Sequence, residues 1–112
     1  MVEKKCTRCG LCKYECPVFK VLLNEKYSPR GKMINKHQLE ELAFYCTLCK
    51  SCETECPIGL KVSEEIKKAR IKLINNGKET KANKKMIENV RKFGNPFGEL
   101  KKDEKPKELY CC

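Results

Sequence analysis

The spacing of the cysteines constrains the fold of this chain more than any other feature. Residues 6–17 read CTRCGLCKYECP, and residues 46–57 repeat the same spacing as CTLCKSCETECP. Both segments follow Cys-x2-Cys-x2-Cys-x3-Cys-Pro, so eight of the ten cysteines belong to two copies of one pattern. Thiols at this density indicate either a disulfide framework or a site that binds metal through sulfur.

The spacing is the run of ligands that bacterial ferredoxins use for 4Fe-4S clusters. Three thiolates at i, i+3 and i+6 let one loop bind three irons of a cubane, and the fourth iron takes a cysteine from elsewhere. Two alternatives are open. Structural zinc uses Cys-x2-Cys pairs that are set apart along the chain, and a disulfide framework needs an oxidising compartment. Because both motifs keep all four cysteines, a three-iron cluster is not expected.

In two-cluster ferredoxins, the last cysteine of each motif binds the cluster of the other motif. That rule predicts two 4Fe-4S clusters here, with crossed ligand sets. The sets are Cys6, Cys9, Cys12 and Cys56 for the first cluster, and Cys46, Cys49, Cys52 and Cys16 for the second. Each cluster would join the two halves of a chain whose core is thin, since 36% of its residues are charged and it has no Trp.

The rest of the chain favours an all-α fold, an α-helical ferredoxin with helices packed around two 4Fe-4S clusters. Only five residues precede Cys6, too few for the β-strand that opens a small bacterial ferredoxin, and no other segment reads convincingly as a strand. Pro17 and Pro57 suit the first position of a helix that follows each motif.

Three further helices are predicted from apolar residues near a 3.6-residue period. The first covers residues 31–45 after a tight turn at 28–31, the second begins after Ser63 as N-cap and ends before Gly77, and the third spans residues 81–93. The residues expected to face inward are Met33, Ile34, Leu39, Leu42 and Ala43 in the first helix, Ile66, Ala69, Leu73 and Ile74 in the second, and Ala82, Met86, Val90 and Phe93 in the third.

We predict a division into a dicluster domain at residues 1–98 and a charged, flexible C-terminal tail at residues 99–112. Cys111 and Cys112 end this tail and are left over once the eight ligands are assigned. They are interpreted either as exposed tail thiols or as groups that help to bind a metal or a partner.

Several segments together resemble a known family. Besides the two cysteine motifs, they are Ser-Pro-Arg-Gly-Lys-Met at 28–33, Cys-Pro-Ile-Gly-Leu at 56–60 and Asn-Pro-Phe-Gly-Glu at 95–99. They are similar, over roughly residues 3–100, to the α-helical ferredoxin module in the iron–sulfur subunit of heterodisulfide reductase. Similar modules occur in the iron–sulfur subunits of succinate dehydrogenases, glycerol-3-phosphate dehydrogenases and glycolate oxidases.

The resemblance implies an electron-transfer role. Modules of this family pass single electrons between a donor and a catalytic subunit, or a second domain with cysteine-rich CCG motifs. The chain stops where such a domain would begin, so the expected partner is a separate redox protein, a catalytic subunit with CCG motifs or a flavin. The alternatives are a freely diffusing ferredoxin and, from another class, an iron–sulfur regulatory or nucleic-acid-binding protein.

Catalysis by the chain itself is not expected, because nothing in the sequence resembles a flavin or nucleotide site or an acid–base dyad. The net charge of +10 suits an acidic redox partner as well as a phosphate backbone. Since no recognisable nucleic-acid module accompanies it, no nucleic-acid partner is predicted. The sequence shows neither a signal peptide nor an apolar stretch that could span a bilayer, so a cytoplasmic protein without a membrane span is expected.

Two charged residues bear on the environment of the clusters. Lys50 takes the place of Gly10 in the second motif, and we hypothesise that its positive charge gives the second cluster the higher potential. Arg30 is interpreted either as a decoration of the turn at 28–31 or as a contact to a partner or redox centre. His37 is expected to be solvated.

Overall fold

A computed structural model describes residues 5–107, in which the regular secondary structure is all helical. The α-helices are α1 (Pro17–Leu22), α2 (Pro29–Ile34), α3 (Leu39–Leu42), α4 (Ser51–Thr54), α5 (Val62–Asn75) and α6 (Lys81–Phe93). Single turns of 3-10 helix lie at Leu11–Lys13, Glu25–Tyr27 and Lys36–Gln38. No strand occurs between residues 5 and 107, and the predicted all-α fold is confirmed.

The hydrophobic core is small and lies where α2, α3 and α5 meet. Its buried side chains are Met33, Leu39, Ala43, Val62, Ile66, Ala69 and Leu73. The prediction that Ile34 and Ile74 also face inward is wrong, since these two residues are 39% and 46% exposed. A core of this size stabilises a chain of 112 residues weakly, which agrees with the expectation from composition.

The single helix predicted for residues 31–45 is wrong, because the segment forms α2 and α3 with a break at Asn35. The helix also begins earlier than expected. The Ser28 hydroxyl accepts a hydrogen bond from the Gly31 N–H at 2.9 Å, and Pro29 occupies the first helical position. The tight turn predicted at 28–31 is therefore the start of α2. Ile34 is the last residue of α2 and points about 100° away from the buried Met33, so it faces solvent.

The N-terminus of α5 also differs from the prediction. The helix starts at Val62, and Ser63 is buried inside its first turn instead of capping it. The Ser63 N–H donates to Glu53 Oε1 at 2.7 Å, so a carboxylate on α4 provides the acceptor that a local N-cap would supply. The C-terminal end is as predicted, with Gly77 in the left-handed region at φ 67°.

The bounds of α6 are as predicted, from a Thr80 N-cap to Gly94 at φ 74°. Its predicted inward face is wrong, because no residue of α6 is buried and Val90 and Phe93 are 48% and 41% exposed. Periodicity identifies the apolar side of a helix, but it does not show that another element covers that side.

No helix in the part of the chain that the structure describes is long and apolar enough to cross a membrane. The division into domains at residues 98 and 99 stays a prediction. Cys111 and Cys112 lie outside the described residues.

Candidate metal centre

The two cysteine loops have the same backbone shape. In the first loop, Arg8 and Gly10 have φ values of 64° and 82°, and the equivalent residues 40 positions later, Leu48 and Lys50, have 57° and 64°. A helical turn follows each loop, Leu11–Lys13 in the first case and α4 in the second. The repeat in sequence is thus a repeat in conformation. Three of the four left-handed residues are not glycine, and such residues carry local strain that the rest of the structure must offset.

Two neighbouring cavities lie between these loops and the starts of α2 and α5. Cys6, Cys9, Cys12 and Cys56 line one cavity, which we call the first site. Cys16, Cys46, Cys49 and Cys52 line the other, which we call the second site. Cys52, Pro29 and Val62 border both cavities and form the wall between them. All four cysteines of each predicted ligand set thus line one cavity, and Cys52 of the second set borders the other cavity as well. Each set combines cysteines from both motifs. Ligation by these eight cysteines stays a prediction.

Backbone amides point at three of the sulfur atoms. The donors are Phe19 N to Cys16 Sγ at 3.5 Å, Leu48 N to Cys46 Sγ at 3.4 Å and Leu60 N to Cys56 Sγ at 3.4 Å. Hydrogen bonds of this kind stabilise thiolates, and around clusters they tune the reduction potential.

The two prolines that end the motifs behave differently. Pro17 is the first residue of α1, as predicted, and the thiol of Cys16 caps that helix. Pro57 does not start a helix, so that prediction is wrong. Residues 57–61 instead form a turn with Gly59 at φ 62°, and this detour brings the Leu60 N–H to Cys56.

The cysteines divide into outer and inner groups. Cys9 and Cys49 are exposed, and hydrogen bonds from the backbone N–H groups of Leu11 and Ser51 lower the pKa of their thiols. Cys12 and Cys52 are partly buried, and burial raises their pKa. For Cys52 the pKa rises to about 12, with further contributions from the charges of Cys12 and Cys46. The inner cysteines of the two motifs are therefore close neighbours at the boundary between the sites.

Arg30 borders the first site and is part of its structure. Its Nε donates to Glu25 Oε1 at 2.6 Å, and its Nη1 donates to the Arg8 carbonyl of the first loop at 3.2 Å. A β-carbon on Gly10 would lie 2.9 Å from Arg30 Nη1. The interpretation of Arg30 as a mere decoration of the turn is wrong. The sequence signal for a structural role of Arg30 is its place in the segment Ser-Pro-Arg-Gly-Lys-Met, which belongs to the family resemblance.

Two more cations near the second site did not emerge from the sequence patterns. Lys32 is 2% exposed, lines the second site and donates from Nζ to the Tyr45 carbonyl at 2.5 Å. Arg70 on α5 donates to the carbonyls of Ala43 and Cys46. No periodicity or spacing could have indicated them, because each reaches its carbonyl partner across the fold. His37 is exposed, as predicted.

The donor chemistry of both cavities fits a 4Fe-4S cluster, which takes four cysteine thiolates. Each site brings together the four thiols of its predicted ligand set, with amide donors nearby, and no Asp, Glu or His of the described residues lines either cavity. Within residues 5–107, no three Cys, His, Asp or Glu side chains converge closely enough to hold a single metal ion.

Comparison with known proteins gives one match. The model of the 4Fe-4S dicluster domain family matches residues 3–60, a range that contains both cysteine motifs and α2. No curated protein and no solved structure matches the chain. The matched range covers more than half of the 112 residues and includes all eight cysteines that line the two sites. The chain therefore belongs to the 4Fe-4S dicluster domain family and is an iron–sulfur protein of electron transfer.

Proposed function

We propose that the chain carries two 4Fe-4S clusters and relays single electrons as a non-catalytic subunit of a larger oxidoreductase. One observation supports the number of clusters: there are two cavities, and all four cysteines of one predicted ligand set line each of them. The ligands are Cys6, Cys9, Cys12 and Cys56 at the first site, and Cys16, Cys46, Cys49 and Cys52 at the second.

A bound 4Fe-4S cluster supplies one-electron oxidation and reduction. The protein supplies the ligands, the hydrogen bonds and the placement of the two sites. Its thiolates hold each cluster, and its amide N–H groups stabilise the charge on sulfur. The inner cysteines Cys12 and Cys52 keep the two sites adjacent, while Cys9 and Cys49 bring one edge of each site to the surface. This arrangement suits a short relay with one exposed edge for a donor and another for an acceptor.

The proposed partner is a separate catalytic subunit with CCG motifs or a flavin, in a complex similar to heterodisulfide reductase. The family resemblance supports this partner, and so do exposed apolar residues that follow the first motif in the sequence. Val21 and Leu23, close in sequence to Cys16, are 80% and 77% exposed. Apolar side chains that are grouped and exposed mark protein–protein contacts. We place the complex in the cytoplasm, a reducing compartment in which thiols stay available for clusters.

Metal analysis tests the clusters. Protein purified without oxygen should contain about eight iron and eight sulfide ions per chain, as two 4Fe-4S clusters require. Replacing Cys9 or Cys49 with Ser should disturb only the cluster of its own site. The double variant Cys111→Ser/Cys112→Ser is the matched control and should keep the full content. About four irons per chain in the unmodified protein would rule out two clusters.

A second experiment separates the proposed subunit from its alternatives. The protein would be purified gently and without oxygen from its own cells, and the proteins that stay bound would be identified by mass spectrometry. Stoichiometric recovery with a subunit that contains CCG motifs or a flavin supports the complex. Recovery alone, with both clusters intact, favours a freely diffusing carrier. Salt-dependent binding to duplex or single-stranded DNA would favour the regulatory alternative.

A further inference from the structure

We propose that Lys32 raises the reduction potential of the second site above that of the first, and so determines which site holds an electron more strongly. This inference rests on the proposed function, since it requires a cluster at each site. It differs from the hypothesis on Lys50, because Lys50 is exposed and water screens its charge, whereas Lys32 is buried.

Lys32 is placed to act as a buried cation at the second site. Its side chain is 2% exposed and lines the same cavity as Cys16, Cys46, Cys49 and Cys52. Its Nζ donates to the carbonyl of Tyr45, the residue directly before Cys46. Burial lowers the pKa of Lys32, and the negative charges of Cys46, Cys16 and Cys52 oppose that effect. Four thiolates and a cluster with net negative charge would favour the ammonium form further.

The first site also has a cation on α2, but an acid offsets its charge. Arg30 forms an ion pair with Glu25, with Nε and Oε1 2.6 Å apart, and Glu25 lies 3.6 Å from Lys13 as well. The Glu25 side chain is 44% exposed, so water screens its charge as well, whereas Lys32 is 2% exposed. By contrast, no carboxylate within residues 5–107 forms an ion pair with Lys32.

Other charges at the second site do not reverse the balance. Arg70 adds a second cation at the Cys46 carbonyl. The carboxylate of Glu53 neighbours Cys52, but it accepts the Ser63 N–H at 2.7 Å and lies 3.9 Å from Lys61. Reduction adds one negative charge to a site. A weakly screened cation favours the reduced state, and the effect is larger in a buried position than at the surface.

The test is a redox titration of both clusters, followed by electron paramagnetic resonance on anaerobic, fully loaded protein. Lys32→Gln removes the charge but keeps an N–H donor for the Tyr45 carbonyl. Lys32→Arg is the matched control that keeps the charge. Signals are assigned to the second site with the variant Cys49→Ser, which changes an exposed ligand of that site alone. We expect Lys32→Gln to weaken reduction of the second site at least tenfold, or 59 mV for one electron, with the first site unchanged.

If the second site of Lys32→Arg has the same potential as that of the unmodified protein, the charge of residue 32 and not its packing sets the potential. An equal shift of both sites in Lys32→Gln, or no shift, would overturn the proposal. The unmodified protein provides a measurement that does not depend on the folding of any variant. If its second site has the lower potential, the proposal is wrong. Failure of the proposed function would look different, because the unmodified protein would then lack the iron and sulfide of two clusters.

Discussion

At the scale of single residues, the repeated motif produces two kinds of thiol from one spacing. The outer cysteine of each loop, Cys9 or Cys49, is exposed and has a lowered pKa because a backbone N–H donates to its sulfur. The inner cysteine, Cys12 or Cys52, has a raised pKa because it is partly buried. The second cysteine of each motif is thus the outer one and the third the inner one, and the exposure of each position in the folded loop creates the difference.

This difference predicts the order in which the thiols of the cluster-free protein react. A lowered pKa gives Cys9 and Cys49 more thiolate near neutral pH, while Cys52, with a pKa of about 12, stays protonated until the solution is strongly alkaline. Iodoacetamide should therefore modify Cys9 and Cys49 first and Cys52 last, as measured by peptide mass spectrometry at intervals. In denaturant the order should disappear. Modification of Cys52 as fast as Cys49 in the folded protein would contradict the prediction.

The glycine of the first loop and the lysine of the second should respond differently to substitution. Gly10→Ala places a β-carbon at φ 82° and 2.9 Å from Arg30 Nη1, so we expect a loss of about 1–2 kcal/mol from the free energy of unfolding. Lys50→Gly relieves a left-handed residue at φ 64° and should stabilise the protein by up to about 1 kcal/mol.

Denaturant unfolding of the loaded proteins measures both changes. Lys50→Ala is the matched control, because it removes the charge of Lys50 but keeps the left-handed β-carbon. It should leave stability nearly unchanged. A gain in stability for Lys50→Ala as large as that for Lys50→Gly would show that charge, and not backbone strain, governs this position.

At the scale of elements, four of the six α-helices have only one or two turns, and side chains at their starts hold several of the helices in place. The start of α5 depends on Glu53 of α4, whose carboxylate accepts the Ser63 N–H at 2.7 Å. The start of α1 depends on the thiol of Cys16. Helices of one or two turns are unstable alone, so such end contacts and the sites between the helices determine whether they form.

Removal of the Glu53 carboxylate should therefore weaken α5. Glu53→Ala leaves a backbone donor without its acceptor, and we expect a loss of about 1 kcal/mol, within the range of N-cap deletions. Thermal unfolding of the loaded protein provides the measurement. Glu55→Ala, on the same short stretch but exposed, is the control and should change little. Equal melting temperatures for both variants would show that the Glu53 contact contributes no stability.

At the scale of the whole molecule, stability should depend on the metal sites more than on the core. The buried apolar cluster joins α2, α3 and α5, whereas the two sites join the N-terminal loop to residues 46–56. Each ligand set spans both motifs, so a bound cluster would close a long loop of the chain. Binding energy at such sites is folding energy.

Loss of the clusters should accordingly destabilise the protein and lower its helix content, without abolishing the fold. Treatment with an iron chelator in the presence of an oxidant should decrease the helical signal in far-ultraviolet circular dichroism. Anaerobic reconstitution of the clusters should restore that signal. The loss should become faster as pH falls, because the thiols must be deprotonated to bind and Cys12 and Cys52 have raised pKa values in the cluster-free protein. An unchanged helical signal after complete removal of iron would show that the small core suffices.

Much of the fold could be predicted from the sequence, and the errors have physical causes. The absence of strands from residues 5–107, the bounds of α6 and the end of α5 at Gly77 depend on local preferences that are visible in the sequence. The break at Asn35 could not be predicted in this way, because helical periodicity continues on both sides of it. The exposure of Val90 and Phe93 depends on what surrounds α6, which local patterns do not contain.

The sequence by itself determined the membership in an iron–sulfur family and the all-α class, because ligand spacing and helical period are properties of neighbouring residues. Only the tertiary structure decided which charges surround each site. Arg30 and Lys32 are two residues apart on α2, yet one borders the first site beside Glu25 and the other lies buried at the second. The physical reason is that the effect of a charge depends on its burial and its neighbours, and distant parts of the chain supply both.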